Sequence, residues 1–283
     1  MLPIHKVIWH EWREHSPPVR VPEPSEAMEN PEQIRAYVKA YEWGGPTSAL
    51  QLYHLRQLSR MIRPGDTVVD LACGPGPLLL ELAALYPDCR FIGVDLSQPM
   101  LDVLLELAQE RKLLGNVETR CEDIRTLTSF GQTKVDLVIT TSALHHLPDL
   151  QSLHATFARV HSLLKSDGGF YAFDFGLLRS PRTRALMVKE IALLAPEVTT
   201  TDYKYSLDAA FPIVEVMDAA RSKLKRTISI KTSSFVDFFY FISTGSRYSG
   251  PNPVSSYTRR RWNELALHGK TEFSMLRLLQ RER

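Results

Sequence analysis

The feature that most constrains the fold of this chain is a regular alternation of strand and helix patterns between residues 67 and 175. Short strands that alternate with helices in this way form a parallel sheet with helices on both faces. The pattern therefore predicts an α/β fold with a doubly wound sheet. The predicted strands are Thr67–Leu71, Arg90–Val94, Val117–Cys121, Val135–Thr140 and Gly169–Phe175. The predicted helices are Leu78–Tyr86, Pro99–Lys112 and Leu150–Leu164, the last ending at a turn formed by Asp167, Gly168 and Gly169.

The segments outside this alternation flank it on both sides. Prolines between residues 16 and 31 favour an extended arm, and helical spacing follows up to residue 61. A mostly helical stretch follows the fifth strand, at the edge of the sheet where ligands bind, so we expect it to cover a pocket. The predicted divisions are an N-terminal arm and helical lid (1–61), a core of alternating strands and helices (62–176), a helical insertion that serves as a lid (177–224), a closing strand pair (225–245) and a polar, then helical, tail (246–283).

Composition and charge exclude several classes of protein. The chain has 34 basic and 32 acidic residues, and a formal net charge of +2 gives no field strong enough to imply nucleic acid or an anionic membrane as a partner. The three cysteines lack C-x-x-C spacing, so neither a disulfide framework nor a metal site is predicted. No apolar run approaches the roughly 20 residues that span a bilayer, and the amino terminus lacks the apolar core of a signal peptide. These observations predict a cytoplasmic protein without a membrane partner.

The first strand runs into a glycine loop, VVDLACGPGPLLLELA, that is followed directly by a helix. Gly74 and Gly76 allow the backbone to approach a ligand closely. A loop that binds a nicotinamide dinucleotide favours glycine or alanine where this chain has Leu79. Pro75 and Pro77 also remove two N–H groups that a diphosphate would need. The loop therefore indicates a cofactor without a diphosphate.

Polar residues follow the next three strands. Asp95 ends the second strand, where its carboxylate can accept hydrogen bonds from both hydroxyls of a ribose, which indicates an adenosine-bearing ligand. Asp123 follows the third strand, and Thr141, His145 and His146 follow the fourth. Because the carboxyl ends of parallel strands meet at one edge of a sheet, these side chains are expected to share one rim.

With these motifs the sequence resembles the class I S-adenosylmethionine methyltransferases over residues 60–175. The motifs D-L-A-C-G-P-G, V-D-L-S, E-D-I and A-L-H-H-L-P-D occur in the order and spacing of that family. The resemblance implies a mostly parallel, seven-stranded, Rossmann-like sheet with a final antiparallel strand. It implies S-adenosyl-L-methionine (SAM) as the cofactor and S-adenosyl-L-homocysteine (SAH) as the product. The implied contacts are Asp70 and Gly74 with the methionine moiety, Asp95 with the ribose, Asp123 and Ile124 with the adenine, Thr141 with the edge of the cofactor, and Ala72, Gly76, Leu96 and Met100 around it.

The implied reaction is an in-line attack by an acceptor oxygen, nitrogen or carbon on the sulfonium methyl group. Positioning of the acceptor should dominate, and a base is needed only for weakly acidic acceptors. His145 and His146 are the candidate general bases because imidazole titrates near neutral pH. The alternative is that one histidine packs against the lid and the other bonds the backbone. Tyr37 is expected to pack in the core, and Tyr41 and Trp43 are left open between packing and closing over the ligand.

The sequence leaves the methyl acceptor open. A lid of this size favours a buried acceptor, either a small metabolite or natural product or a short peptide. The alternatives are an RNA or protein methyltransferase and a protein that binds SAM without turnover. From residue 251 onward seven basic minus three acidic residues give a local charge of +4, but such residues more often form the solvated face of a terminal helix, so nucleic acid is not expected. A homodimer stays open.

Overall fold

The computed structural model describes residues 4–193, 195–278 and 280–283, and within them one mixed sheet runs through the molecule. Its strands are β1 (Thr67–Leu71), β2 (Arg90–Asp95), β3 (Val117–Cys121), β4 (Val135–Thr141), β5 (Leu164–Phe175), β6 (Ser229–Ser233), β7 (Phe239–Ser243) and β8 (Gln280–Glu282). The spatial order is β3-β2-β1-β4-β5-β7-β6-β8. Strands β1 to β5 pair in parallel, whereas β7 is antiparallel to both β5 and β6. The predicted doubly wound α/β sheet with a late antiparallel strand is confirmed.

Helices cover both faces of this sheet. They are α1 (Ile4–Arg13), α2 (Pro31–Ala40), α3 (Ser48–Leu58), α4 (Pro77–Leu85), α5 (Gln98–Glu110), α6 (Leu150–Leu163), α7 (Pro181–Ala192), α8 (Glu197–Ala209), α9 (Ile213–Leu224), α10 (Ser255–Glu264) and α11 (Leu267–Leu278). Successive residues of β1 enter opposite cores: Val68 belongs to the core that contains Leu79 of α4 and Phe273 of α11, and Val69 belongs to the core that contains Leu153 of α6. The strand period of two thus builds a core on each face.

Three details differ from the sequence-based expectation. Strand β5 begins at Leu164 rather than at the predicted Gly169, because Leu164 already pairs with Val135 of β4 and the turn residues form an irregularity inside β5. The closing strand pair begins later than expected because Lys225, in the left-handed conformation with φ of 49°, ends α9 first. An eighth strand, β8, adds to the predicted seven by pairing antiparallel with β6.

The terminal segments pack onto the core. Residues 14–30, between α1 and α2, form the extended arm without regular secondary structure. Helices α10 and α11 pack against α3, and Arg281 pairs with Asp237 at 2.8 Å. Among the helices of the described residues, none combines the length and the apolar character needed to cross a bilayer.

Candidate functional site

A cavity of about 710 Å³, including the part that opens to solvent, lies beyond the carboxyl ends of β1 to β4. Its wall contains eight of the predicted site residues. They are Ala72, Gly74, Asp95, Leu96, Met100, Asp123, Ile124 and His146. Four others lie outside the wall: Asp70, Gly76, Thr141 and His145. Sequence reasoning therefore located the rim of the sheet and most of the side chains that surround the cavity.

The glycine loop after β1 forms one side of this cavity. Gly74 has a φ of 55°, a left-handed conformation that glycine adopts without steric cost. Its N–H donates a hydrogen bond of 2.8 Å to Oδ2 of Asp95, which ties the loop to the end of β2. A Cβ atom at this position would lie 3.9 Å from Tyr37 and 4.0 Å from Met100, both in the cavity wall. The loop therefore presents bare backbone to the space where a ligand would lie.

Asp95 is the acidic group at the centre of the wall. Its Oδ1 accepts a 2.9 Å hydrogen bond from the N–H of Ser97, while Oδ2 accepts from Gly74. A carboxylate offers about four lone-pair positions, so about two are left for a ligand. Burial raises the pKa of Asp95, although the N–H groups of Ser97 and Gly74 partly offset this effect. The arrangement suits a neighbour that donates two hydrogen bonds, such as the pair of hydroxyls on a ribose.

Two non-glycine residues in the wall have strained backbone. Ala72, just after β1, has a φ of 50°, and Ser142, just after β4, has a φ of 54°. Non-glycine residues rarely adopt this conformation, and such residues cluster where a ligand or a switch needs them. Both flank the cavity, which supports its assignment as the functional site.

The predicted residues outside the wall support those within it. Asp70 is buried at the end of β1, and its pKa is raised well above the usual range by burial and then by the charge of Asp95. Gly76, with a φ of 67°, begins α4 so close to Leu104 that a Cβ atom would lie 2.6 Å from Leu104 Cδ1. Thr141 is the last residue of β4. These three residues therefore lie in the loop and at the strand ends from which the wall extends.

The extended arm, predicted as part of the N-terminal arm and lid, supplies wall residues that the sequence did not single out. Glu26, Ala27 and Met28 line the cavity opposite the sheet. The hydroxyl of Ser97 donates a 2.6 Å hydrogen bond to the carbonyl of Met28, and Arg125 pairs with both Glu26 at 3.1 Å and Asp123 at 2.6 Å. The arm is thus fastened to the ends of β2 and β3. No periodic or motif signal in residues 14–30 indicates these contacts.

A buried cluster of imidazoles and carboxylates lies beside the cavity. His145 is 3% exposed, and its Nδ1 lies 2.7 Å from Oδ1 of Asp174 at the end of β5. The backbone N–H of His145 donates to Oδ2 of the same carboxylate at 2.9 Å. Glu23 of the arm approaches both histidines, with Oε1 3.6 Å from His145 Nε2 and Oε2 3.0 Å from His146 Nδ1. Glu23 and Asp174 were not singled out from the sequence.

His146 differs from His145 because it reaches the cavity. Burial lowers the pKa of His146, but the hydrogen bond and charge of Glu23, together with the charges of Asp174 and Asp202, outweigh burial and raise the pKa overall. The two imidazole rings lie 4.3 Å apart. Proton binding at this position is therefore set by a carboxylate from the arm.

The aromatic residues of the amino-terminal helices have different positions. Tyr37 stacks on Tyr41 with ring centroids 4.6 Å apart, and it also lines the cavity, so the packing expected for it is only part of its role. Trp43 packs against the core, with the Arg261 guanidinium 4.4 Å from its ring centre. Helix α8 of the insertion packs against α2 and against the short turn that contains His145 and His146. Among the described residues, those that line the cavity include none from α8.

The sequence of this chain is similar to those of known methyltransferases over part of its length. Residues 68–168 match the family described as "Methyltransferase domain". A trans-aconitate 2-methyltransferase of Variovorax paradoxus (strain S110) is 33% identical over 129 residues, covering 46% of this chain and 45% of that protein. An uncharacterized methyltransferase of Schizosaccharomyces pombe is 31% identical over 120 residues, covering 40% of this chain and 39% of that protein. The matched part thus spans less than half the length of these relatives.

A plantazolicin methyltransferase solved in complex with SAH has the same fold. It superposes with a TM-score of 0.57 at 12% identity, covering 84% of this chain and 87% of that chain. The sheet order and the cavity at its carboxyl edge therefore define a Rossmann-like α/β domain. Within it, residues 68–168 are the part of the chain that matches the methyltransferase-domain family.

Proposed function

We propose that this protein transfers the methyl group of SAM to an oxygen, nitrogen or carbon atom of a small molecule or a short peptide. The observation that carries the proposal is Asp95, which lines the cavity and keeps about two lone-pair positions beyond those that Gly74 and Ser97 occupy. The family match at residues 68–168 favours SAM over other adenosine compounds.

The residues present fit this cofactor. Gly74 offers bare backbone to the methionine moiety, Asp95 accepts from the ribose, and the apolar side chains of Leu96, Met100 and Ile124 suit an adenine. The carboxylate of Asp123 is held by the backbone N–H of the residue two positions further on, at 2.7 Å, which fixes its orientation. Asp70, Ala72, Gly76 and Thr141 complete the proposed binding site as supports of the loop and the rim.

Positioning is the main task of the protein in this reaction. Bound SAM supplies a methyl group on a positively charged sulfonium, which is already activated. Holding an acceptor atom about 3 to 3.5 Å from its target and excluding water can lower the barrier by several kcal/mol. The arm at Met28 and the ring of Tyr37 are the parts of the wall that exclude water opposite the sheet.

We assign the removal of a proton from a weakly acidic acceptor to His146. It reaches the cavity, whereas His145 is held by Asp174 and is almost fully buried. A base must come within hydrogen-bond reach of the proton that it removes, and this requirement favours His146. His145 then acts as a positioning residue that packs against the His146 ring.

The cavity supports a small acceptor. The arm covers one side of it, and a trans-aconitate methyltransferase is among the relatives of the chain. In the tail, Arg281 is paired with Asp237, and Arg261 packs on Trp43, so these two charges are not free for RNA. Free thiols at Cys73, Cys89 and Cys121 support a reducing, cytoplasmic location.

The proposal is tested with labelled SAM and fractionated extract of the source organism. We expect one small-molecule or peptide fraction to gain the label, with mass spectrometry showing an increase of one methyl group. Label transferred only to RNA or to large proteins would instead support a macromolecular acceptor. Tight SAM binding without transfer to any fraction would indicate a protein that binds the cofactor without turnover.

A further inference from the structure

We propose that Glu23, His145 and His146 together bind one divalent transition-metal ion of the Zn²⁺ class. The three side chains each offer one ligand atom, and these atoms lie within 4.8 Å of one another. Two imidazoles and a carboxylate are a ligand set that zinc commonly takes, with a fourth position left open. The sequence gives no spacing signal for this site because Glu23 lies in the arm, far along the chain from the two histidines.

The contacts of His145 point to a ligand on its second nitrogen. Asp174 accepts from the backbone N–H of His145 and from that of Phe175, so its carboxylate is fixed in place. With its Nδ1 only 2.7 Å from Asp174, neutral His145 carries its proton on Nδ1 and a lone pair on Nε2. Metal-binding histidines are oriented in this way by a carboxylate behind them.

The lone pair on Nε2 of His145 has no hydrogen-bond partner in the part of the chain that the structure describes. It faces Oε1 of Glu23 at 3.6 Å, so two electron-rich atoms meet across a gap between side chains that are 3% and 8% exposed. Nδ1 of His146 lies 3.0 Å from Oε2 of Glu23, so a second nitrogen is close enough to share an ion with the same carboxylate. A cation between these atoms would remove the conflict.

Charge and distance both suit a divalent ion. Three carboxylates, those of Glu23, Asp174 and Asp202, act on the imidazole of His146. Ligands about 2.0 to 2.2 Å from a tetrahedral zinc lie about 3.3 Å from each other. Two of the three separations, 3.0 and 3.6 Å, bracket that value, and all three lie within 4.8 Å.

The open position would face the cavity, because His146 lines it. The ion would lower the pKa of an acceptor oxygen bound there, so that oxygen would release its proton to water without the free imidazole of His146. This last step rests on the proposed function, whereas binding of the ion does not.

The test is a titration of tag-free, chelator-treated protein with Zn²⁺, in the absence of SAM and of any acceptor. Calorimetry should show one equivalent bound, and Co²⁺ in its place should give the visible absorption of a nitrogen- and oxygen-ligated site. Glu23→Gln and His146→Gln should each weaken binding at least about tenfold. Glu29→Gln, which removes an exposed carboxylate of the same arm, and His10→Gln, which removes a histidine of α1, should retain wild-type binding.

Thermal denaturation of each variant shows whether it is folded. If either Glu23→Gln or His146→Gln fails to fold, the other variant still tests the site. Absence of stoichiometric binding tighter than about 10 μM by the wild-type protein would overturn the proposal, as would unchanged affinity in both folded variants. Because no methyl transfer is measured, failure here is distinct from failure of the methyltransferase assignment.

Discussion

Replacing Asp95 by asparagine should weaken SAM binding by a predictable amount. The carboxylate accepts one N–H from Gly74 and one from Ser97, and the proposal gives its remaining lone pairs to the ribose hydroxyls. Asparagine keeps one acceptor oxygen but places an NH₂ group where the other oxygen stood. One charge-assisted hydrogen bond to the ribose is lost, which costs about 1.5 to 3 kcal/mol. This corresponds to a rise in Kd of about 10- to 150-fold.

The same substitution also acts on the fold. One of the two backbone N–H groups loses its acceptor, so the free energy of unfolding should fall by about 1 to 3 kcal/mol. Calorimetry with SAM and with SAH measures the affinity, and urea unfolding measures the stability. Asp102→Asn, which makes the same chemical change at an exposed residue of α5, should alter neither quantity.

A folded Asp95→Asn protein that binds SAM within twofold of the wild-type affinity would refute this reasoning. So would an equal loss of affinity in the Asp102→Asn control, because that result would assign the effect to net charge rather than to hydrogen bonds.

Three further predictions concern the loop, the arm and the core. Gly76→Ala places a Cβ atom at a positive φ and within 2.6 Å of Leu104, so it should lower the free energy of unfolding in urea by about 2 to 4 kcal/mol. Leu104→Ala should cost less in the Gly76→Ala protein than in the wild-type protein, because it removes the clash. Simple additivity of the two effects would argue against the clash. The guanidinium of Arg20 donates to the carbonyls of His145, Pro148 and Ala209 and stacks on a phenylalanine ring, so Arg20→Met should speed hydrogen exchange and protease cleavage in residues 14–30, and unchanged protection would show that the arm is held elsewhere. Burial lowers the pKa of His54 from 6.5 to about 3, so as pH falls from 6.5 toward 3 the unfolded chain binds a proton at this residue and the folded chain does not. The free energy of unfolding should therefore decline over that interval by up to about 5 kcal/mol. Urea unfolding at several pH values should show a shallower decline for His54→Gln.

Local pattern determined the parts of the fold that the sequence could predict. The strands that end at Asp95 and Thr141 are short apolar runs, so their bounds could be read from the sequence. Gly74 and Gly76 adopt the left-handed conformation that a tight loop after a strand requires, and glycine signals such a loop in the sequence. Motif, strand end and cavity coincide because parallel strands deliver their carboxyl ends to one edge.

Contacts between distant segments could not be predicted in this way. Glu23 meets His145 across 122 residues of chain, and Asp174 reaches the same imidazole from a different strand. Strand β8 exists only because β6 offers an edge to three residues of the tail. Such pairings depend on the finished packing and leave no period or spacing in the sequence, so the contacts of the arm and its cluster with the histidines emerged only from the structure.

Calorimetric titration of the wild-type chain with SAM, SAH and a nicotinamide dinucleotide is the decisive experiment. We expect SAM and SAH each to bind with one site per chain and to compete with one another, and the dinucleotide to give no heat, since Pro75 and Pro77 deprive a diphosphate of two N–H donors. Binding of the dinucleotide together with no heat from SAM or SAH would contradict the assignment of the cavity.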